Sequence, residues 1–470
     1  MILDKYDYLV IGGGPGGTPV ASALAQAGKQ VLLVEKGAGL GGTCLFEGCI
    51  PSKIFRESAR RLRELRESDD FGLCLPSRDV HIDWSAIQER KQSILHLRSI
   101  GAMQRIRQNP SLDVVLGSAM FLNSTHARIT PVSDGPVDIE FREAVIATGS
   151  QPVRPPIRGV DNPHVLDSGQ ILDINHIPKR LAIIGAGPIG VELSQIFNTF
   201  GSEVTLYEAG PRILSPVDQD LAEYLQQKMS DDGIEVITNC HIKCISRTGS
   251  GVFVEYLSNG NPSAHRYTDT VLLVTGRQPN TEGLGLENTA VKQTPHGIQV
   301  NSHLQTNESN IFALGDVIGQ PMFAHWATAQ ALALAKNLLN QPSPFPVTEN
   351  NTAVIFSEPE LGMAGLTETQ AQSRDIDYAV ARYHFKQDAR AQIANQARGQ
   401  LKILYTRDKH RIIGLHALVE GAGDLMGEAA LAIAQGTTLE ELASAIHPHP
   451  TLTESFAAAA RAALQENSSG

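Results

Sequence analysis

The sequence predicts an α/β chain in which two parallel-sheet nucleotide-binding units precede a C-terminal α+β domain. Three observations carry this. A strand, glycine turn, helix and strand follow one another from Tyr8 to Glu35, and a near copy runs from Leu181 to Glu208. The last third alternates strand-like and helix-like segments and contains no glycine fingerprint. Two βαβ units of this kind imply two parallel sheets in one chain.

The first unit opens on the apolar run Tyr8–Ile11. Glycines follow, then an alanine-rich stretch to Ala27 and a second apolar run, Val31–Val34. The turn Gly12-Gly13-Gly14-Pro15-Gly16-Gly17 satisfies G-x-G-x-x-G through Gly12, Gly14 and Gly17. Side chains at these positions would keep a pyrophosphate from the backbone, and the helix N-terminus favours its negative charge. Glu35 ends the next strand, where a carboxylate accepts from ribose hydroxyls.

The second unit runs through Leu181–Ile184, a helix to about Phe200, and Val204–Tyr207. Its fingerprint is Gly185, Gly187 and Gly190, and Glu208 stands where Glu35 stands in the first. One such fingerprint is compatible with a tight turn in any α/β protein. Two, each with flanking strands and a carboxylate about 20 residues on, are specific. Glu208 favours NAD over NADP, because a carboxylate there repels a 2′-phosphate. Arg212 is the nearest residue that could reverse this.

Between the fingerprints lies Gly41-Gly42-Thr43-Cys44-Leu45-Phe46-Glu47-Gly48-Cys49-Ile50-Pro51-Ser52-Lys53. Residues i and i+5 of an ideal helix lie roughly 8–9 Å apart at Cα, beyond the roughly 7 Å that a disulfide spans. If Cys44 and Cys49 bridge, the segment must be an irregular turn entering a helix, and Gly48 and Pro51 permit that. A structural disulfide is disfavoured if the protein is cytosolic, the default for so few cysteines. A zinc site lacks a second cluster of cysteine or histidine, so no metal is expected. A redox-active dithiol fits, because a helix N-terminus lowers a thiol pKa. Cys74, Cys240 and Cys244 have no comparable setting and read as buried or incidental.

The totals bound the rest. At 470 residues the chain exceeds one core and should divide into two to four domains. A net charge of −11 argues against a nucleic-acid surface or an anionic membrane as partner. No apolar run approaches a membrane span and no signal peptide opens the chain, so a cytoplasmic protein is expected. Linkers show as Gln151-Pro152-Val153-Arg154-Pro155-Pro156 and as Asn340-Gln341-Pro342-Ser343-Pro344-Phe345-Pro346. Beyond the second, Leu401–Tyr405 and Ile412–Leu418 read as strands, and Glu428–Ile433 and Phe456–Ala463 as helices.

With these motifs the sequence closely resembles the class I pyridine nucleotide–disulfide oxidoreductase family, from about Tyr6 to about Ala463. The most specific pieces are the Cys44–Lys53 segment and His449-Pro450-Thr451-Leu452-Thr453-Glu454. Ala147-Thr148-Gly149, Thr275-Gly276-Arg277 and Ala313-Leu314-Gly315-Asp316 lie between them. The resemblance implies two Rossmann-like domains and a dimerisation domain: FAD binding in 1–150 and 280–345, NAD binding in 151–279, and the interface in 346–470. It implies that Gly12, Gly14, Gly17, Glu35, Lys53, Thr148, Gly149, Gly315 and Asp316 hold FAD. Gly185, Gly187, Gly190, Glu208 and Gly276 would hold NAD. Cys49 would be the thiolate beside the flavin, and Cys44 would exchange with the substrate disulfide. Lys53 would pair with Glu192 near the flavin, and His449, oriented by Glu454, would be the acid/base, entering the site from the other subunit of a homodimer. His447 is given no chemistry.

Within the family the pattern is most like the dihydrolipoamide dehydrogenases. No cysteine follows Cys244, as extra C-terminal redox cysteines would require, and Glu208 opposes the NADP of glutathione-type reductases. The implied reaction is oxidation of a lipoyl-bearing protein's dihydrolipoyl group by NAD. The alternative is a related FAD- and NAD(P)H-dependent reductase of another disulfide, a metal ion or a quinone. A protein that only binds FAD is opposed by the intact Cys44, Cys49, His449 and Glu454. Three positions depart from the family pattern: Phe46-Glu47, Trp326 in place of a frequent lysine, and Pro448 between the two histidines.

Overall fold

The computed structural model describes residues 2–77, 79–258 and 263–469. The first glycine unit forms strand β1 (Lys5–Ile11), helix α1 (Gly17–Gln26) and strand β2 (Val31–Glu35). Strand β1 pairs in parallel with β2 on one side and β5 (Val137–Ile146) on the other. Strand β3 (Leu112–Phe121) runs beside β2 to Leu116, then turns to pair antiparallel with β4 (His126–Pro131). Ile311–Ala313 returns from far along the chain to pair in parallel with β5, which places Asp316 at the end of the first sheet. Val10, Leu33 and Val145 are fully buried, as strands covered on both faces require.

The second glycine unit is an all-parallel five-stranded sheet. Its order is Glu235–Ile237, Glu203–Tyr207, Arg180–Ile184, Thr270–Leu273 and Val165–Asp167. A three-stranded antiparallel sheet, Cys240–Thr248, Gly251–Ser258 and Ala264–Thr268, packs on it through Val252, Val254 and Tyr207. The passage between the two units is itself a ladder. Ser150–Pro152 pairs antiparallel with Arg277–Pro279, so the chain leaves and re-enters the first unit at one place. The C-terminal domain is a five-stranded antiparallel sheet faced by helices Ala422–Gln435 and Glu454–Ser469.

Helices α2 (Gly42–Phe46) and α3 (Cys49–Arg66) follow the first unit, and α4 (Trp84–Arg107) crosses them. In α3 the buried positions Ser52, Phe55, Ala59 and Leu62 lie on one face. Pro51 sits in the first turn, where no intrahelical N–H is required, and Arg63 and Arg66 in the last turn suit the negative end of the helix dipole. That buried face meets α5 (Pro188–Thr199) of the second unit through Trp84. Its ring lies 4.9 Å from Phe55, 6.4 Å from Phe197 and 5.6 Å from Phe200, centroid to centroid. Lys91, almost wholly buried, ties α4 to the second unit by donating to the Leu172 carbonyl and to Asp173, each at 2.6 Å. Phe55, Ile183, Phe197, Leu361 and Leu418 belong to one apolar core, so all three parts of the chain are packed together.

Candidate active site

Both glycine turns are built alike. Gly12 has φ +106°, and a Cβ on it would lie 2.3 Å from the Ala147 carbonyl oxygen. A Cβ on Gly17 would lie 1.8 Å from the Gly12 oxygen, so α1 begins hard against the turn. On Gly14 a Cβ would meet nothing nearer than Gly42 Cα at 3.9 Å. The second turn repeats this: Gly185 abuts the Val274 oxygen, Gly190 abuts Gly185, and Gly187 has open space around it. The outer glycines serve packing and the middle one leaves room. Neither α1 nor α5 carries a side-chain cap, so their leading N–H groups stay available to an anion. Space and donors together fit the diphosphate of a dinucleotide at each turn.

The two carboxylates are pinned in the same manner. Glu35 accepts the Gly13 N–H at 2.6 Å and the Gly37 N–H at 2.5 Å. Glu208 accepts those of Ala186 at 2.8 Å and Gly210 at 2.7 Å. Each oxygen keeps a lone pair for a ribose hydroxyl. Glu208 lines a cavity of about 480 Å³ with Gly187, Gly276 and Arg277. Arg212 turns away from Glu208, its guanidinium donating to the carbonyls of Leu214 at 3.0 Å and Ser215 at 2.8 Å. Cys240, expected to be buried or incidental, is buried and lines the same cavity. Cys244 accepts from Arg158 Nε at 3.1 Å, and Cys74 is exposed.

Cys44 lies within α2 and Cys49 is the first residue of α3, separated by the break at Glu47-Gly48. Both are free thiols, and they share a hydrogen bond. Cys49 is lowered to about 7: the hydrogen bond from Cys44 is the main cause, desolvation opposes it, and the Lys53 charge adds to it. Cys44 is pushed far up by the same hydrogen bond and by burial. One turn along α3, Lys53 Nζ reaches Glu192 Oε2 on α5 at 2.7 Å. Glu192 is nearly buried, and its other oxygen accepts the Phe356 N–H from the C-terminal domain at 2.9 Å.

Asp316 and Thr148 are held by residues outside the expected set. Ser150 Oγ donates to Asp316 at 2.6 Å and accepts from Arg277 Nε at 2.8 Å. Asn280 brackets Thr148, accepting its hydroxyl at 2.7 Å and donating to its carbonyl at 3.1 Å. Arg277 stands in a motif the sequence displays, but the partners Ser150 and Asn280 carry no local signal. Among the departures, Phe46 is half-buried against Leu45 and Leu95, Glu47 is exposed, and Trp326 is buried at the start of helix Ala324–Leu338. The exposed Pro448 accepts the Thr451 hydroxyl through its carbonyl at 2.7 Å.

His449 Nδ1 lies 3.0 Å from Glu454 Oε1 and 3.1 Å from Oε2. A carboxylate only accepts, so Nδ1 carries the proton and Nε2 of the neutral ring keeps its lone pair. Glu454 also accepts the Thr451 N–H at 2.9 Å; that bond and His449 hold its carboxyl below the ordinary range. The His449 side chain is 73% exposed, and Glu454 is the hydrogen-bond partner shown for it. The helix bearing Glu454 packs on Leu439–Ser444 and on strands Tyr378–His384 and Gln400–Thr406. His447, by contrast, is largely buried and bound to Glu428 at 2.8 Å, a structural role.

Residues 6–331 match the pyridine nucleotide–disulphide oxidoreductase family, and 352–460 match that family's dimerisation domain. The chain belongs to this family. It is a flavoenzyme of the pyridine nucleotide–disulphide oxidoreductases, an NAD-dependent disulfide oxidoreductase that uses FAD and NAD, and its dimerisation domain makes it a homodimer. It is 36% identical over 459 residues to the dihydrolipoyl dehydrogenase of Geobacillus stearothermophilus, covering 97% of this chain and 96% of that one. A Bacillus subtilis dihydrolipoyl dehydrogenase is also 36% identical, over 95% of this chain and 96% of its own. Among solved structures, the Cu(II) complex of the HOCl-induced flavoprotein disulfide reductase RclA from Escherichia coli superposes with a TM-score of 0.87 at 29% identity. That match covers 98% of this chain and 100% of the other. No described helix is long and apolar enough to cross a membrane.

Proposed function

We propose that the protein oxidises the dihydrolipoyl group of a lipoyl-bearing protein, with NAD as acceptor, in the cytoplasm. The observation that carries this is the Cys44–Cys49 pair, with one acidic and one reluctant thiol, at the head of a helix that also presents Lys53. Identity to dihydrolipoyl dehydrogenases over nearly the whole chain supports the substrate. In the working cycle the dithiol starts as a disulfide. His449 Nε2 takes the proton of one substrate thiol, and the resulting thiolate attacks Cys44 Sγ. The Cys44–Cys49 bond breaks and Cys49 leaves as a thiolate, the lower-pKa thiol being the better leaving group. The second substrate thiol then attacks the substrate sulfur bound to Cys44, the bond to Cys44 breaks, and the proton it gives up passes to the leaving Cys44 thiolate while the first proton stays on His449. The cyclic disulfide departs.

Bound FAD supplies the route by which the electron pair passes from the reduced dithiol to NAD. Gly12, Gly14, Gly17, Glu35, Thr148, Gly149, Gly315, Asp316 and Lys53 would hold FAD. Gly185, Gly187, Gly190, Glu208 and Gly276 would hold NAD. The domains proposed are 1–150 with 280–345 for FAD, 151–279 for NAD and 346–470 for the interface; the return of Ile311–Ala313 to the first sheet supports the split FAD domain. Because His449 is open to solvent on the dimerisation domain, the base is proposed to serve the partner subunit's dithiol.

The test is turnover with NAD and dihydrolipoamide beside NADH with glutathione disulfide, Cu(II) and a quinone. The reading requires dihydrolipoamide to exceed the others in kcat/KM by at least about 10²-fold, the scale of a substrate-specific site. Faster turnover of Cu(II) or a quinone would instead favour a reductase, the reading that the RclA likeness supports.

A further inference from the structure

One segment of the C-terminal domain reaches the Lys53–Glu192 pair. It runs from Phe356 to Glu360 and lies between α3 and α5. Gln195 of α5 holds it by donating to the Glu358 carbonyl and accepting the Glu358 N–H, both at 2.9 Å. From α3, Arg56 pairs with Glu360 at 2.9 Å and Glu420 at 3.1 Å, and Arg63 pairs with Glu358. Thus fastened, Phe356 has little freedom. Its N–H donates to Glu192 Oε1 at 2.9 Å, and the centre of its ring lies 4.5 Å from Lys53 Nζ.

Lysine presents three N–H donors on a flexible four-carbon stem. Glu192 takes one at 2.7 Å and Ser52 Oγ is within 3.3 Å. An aromatic face within about 6 Å attracts an ammonium, most strongly where water is displaced. The Lys53 side chain is 31% exposed, so without the ring its head could swing toward water. The same residue holds both members of the pair: the carboxylate through its backbone, the ammonium through its ring.

We propose that Phe356 is a positioning residue for the dithiol chemistry, fixing the Lys53–Glu192 pair through its N–H and its ring and so fixing the cation beside Cys49. This rests on the role given to Lys53 above. It also makes the C-terminal domain a direct determinant of thiolate chemistry carried on another domain.

The experiment uses the FAD-loaded, dithiol-reduced enzyme and follows iodoacetamide alkylation of Cys49, located by peptide mass, against pH. Phe356→Leu keeps the N–H and removes the ring, so alkylation at pH 7 should fall roughly two- to fivefold, the scale of one cation–π contact. Phe356→Tyr keeps a ring face and should restore the wild-type profile. In a Lys53→Met background, Phe356→Leu should add nothing, because the ring acts through the ammonium. Should Phe356→Leu not fold, Phe356→Met takes its place. A wild-type profile for the ring-less variant, or an equal fall in the Lys53→Met background, overturns the proposal. If Lys53→Met itself leaves the profile unmoved, the role of Lys53 fails and that of Phe356 with it. No lipoamide enters the assay, so an error about the substrate is distinguishable from an error about Phe356.

Discussion

The Cys44 thiol donates a hydrogen bond to Cys49, and that contact, helped by burial of Cys44 and the charge of Lys53, does most to divide the pair into an acidic thiol and a reluctant one. Cys49 is lowered to about 7 and Cys44 is raised, so removal of one proton from the reduced enzyme leaves the charge on Cys49. Cys44→Ala removes the donor and should move the Cys49 titration to higher pH. At pH 7 the thiolate fraction, read by alkylation rate, should fall roughly three- to tenfold, the worth of a weak hydrogen bond to a charged acceptor. An unchanged midpoint would mean that Lys53, and not Cys44, sets the acidity.

Glu208 lines the nucleotide cavity and is pinned by Ala186 and Gly210, while Arg212 is committed to backbone carbonyls. A 2′-phosphate would therefore meet a fixed anion, with Arg212 turned away to backbone carbonyls and Arg277 engaged by Ser150. NAD should exceed NADP in kcat/KM by roughly 10²–10³-fold, the scale of a like-charge contact. Glu208→Gln should narrow the gap chiefly through the KM for NADP. Equal use of both cofactors by the wild type would refute this.

Lys402, fully buried on the C-terminal sheet, binds Asp218 at 2.9 Å and Asp220 at 2.8 Å from the second unit, and Glu368 as well. These three carboxylates have metal-like spacing, and the ammonium stands among them. Lys402→Met would leave them unpaired. It should cost about 3–5 kcal/mol, toward the low end because Asp220 stays partly in water. Burial alone would raise Asp220, but its contacts with Lys402 overcome this and lower it. Its contribution is therefore present at neutral pH and lost as pH falls through its folded pKa. Burial alone would lower Lys402, but the carboxylates raise it, so its contribution is lost only as pH rises through its folded pKa. Urea midpoints of wild type and variant should differ most near neutrality and converge in acid. A difference that persists unchanged from neutrality down to about pH 2, below the ordinary carboxylate range, would count against the assignment.

Much of this was legible in the sequence for a physical reason. Glycines at 12, 17, 185 and 190 are demanded by close backbone approach, Gly14 and Gly187 leave open room at the turn, and such demands are local. Ile412–Leu418 forms the strand its apolar run suggests, and Leu401–Tyr405 extends by one residue at each end, to Gln400–Thr406. Helix ends were less legible: Glu428–Ile433 proves to be Ala422–Gln435, because Gly421 and Gly436, both at positive φ, set its limits. With both thiols free, the Cys44–Cys49 segment is a short helix, a break at Glu47-Gly48 and a second helix starting at Cys49; the irregular turn entering a helix is expected only for a bridged pair. Ser150, Asn280 and Phe356 escaped notice because their partners are 132 to 166 residues away in sequence, and nothing in their neighbours encodes that.

The shared site is testable by complementation. Cys44→Ser and His449→Ala subunits should each be inactive as homodimers, the latter by about 10²–10⁴-fold. In a purified heterodimer with the base supplied by the partner, one site loses both functions and the other is intact. About half the wild-type rate is then expected. No recovered activity would place the base in the same chain as the dithiol it serves.

If electrons reach NAD through Cys44, loss of its thiol must stop oxidation of the substrate. Cys44→Ser separates the two halves of the reaction in one protein, because the glycine cradles and Glu208 are untouched by the change. The measurement is steady-state oxidation of dihydrolipoamide by NAD alongside anaerobic reduction of the bound flavin by NADH. Dihydrolipoamide turnover should disappear while FAD remains bound and NADH still bleaches it. Normal turnover of dihydrolipoamide by the Cys44→Ser enzyme would rule out the route through Cys44.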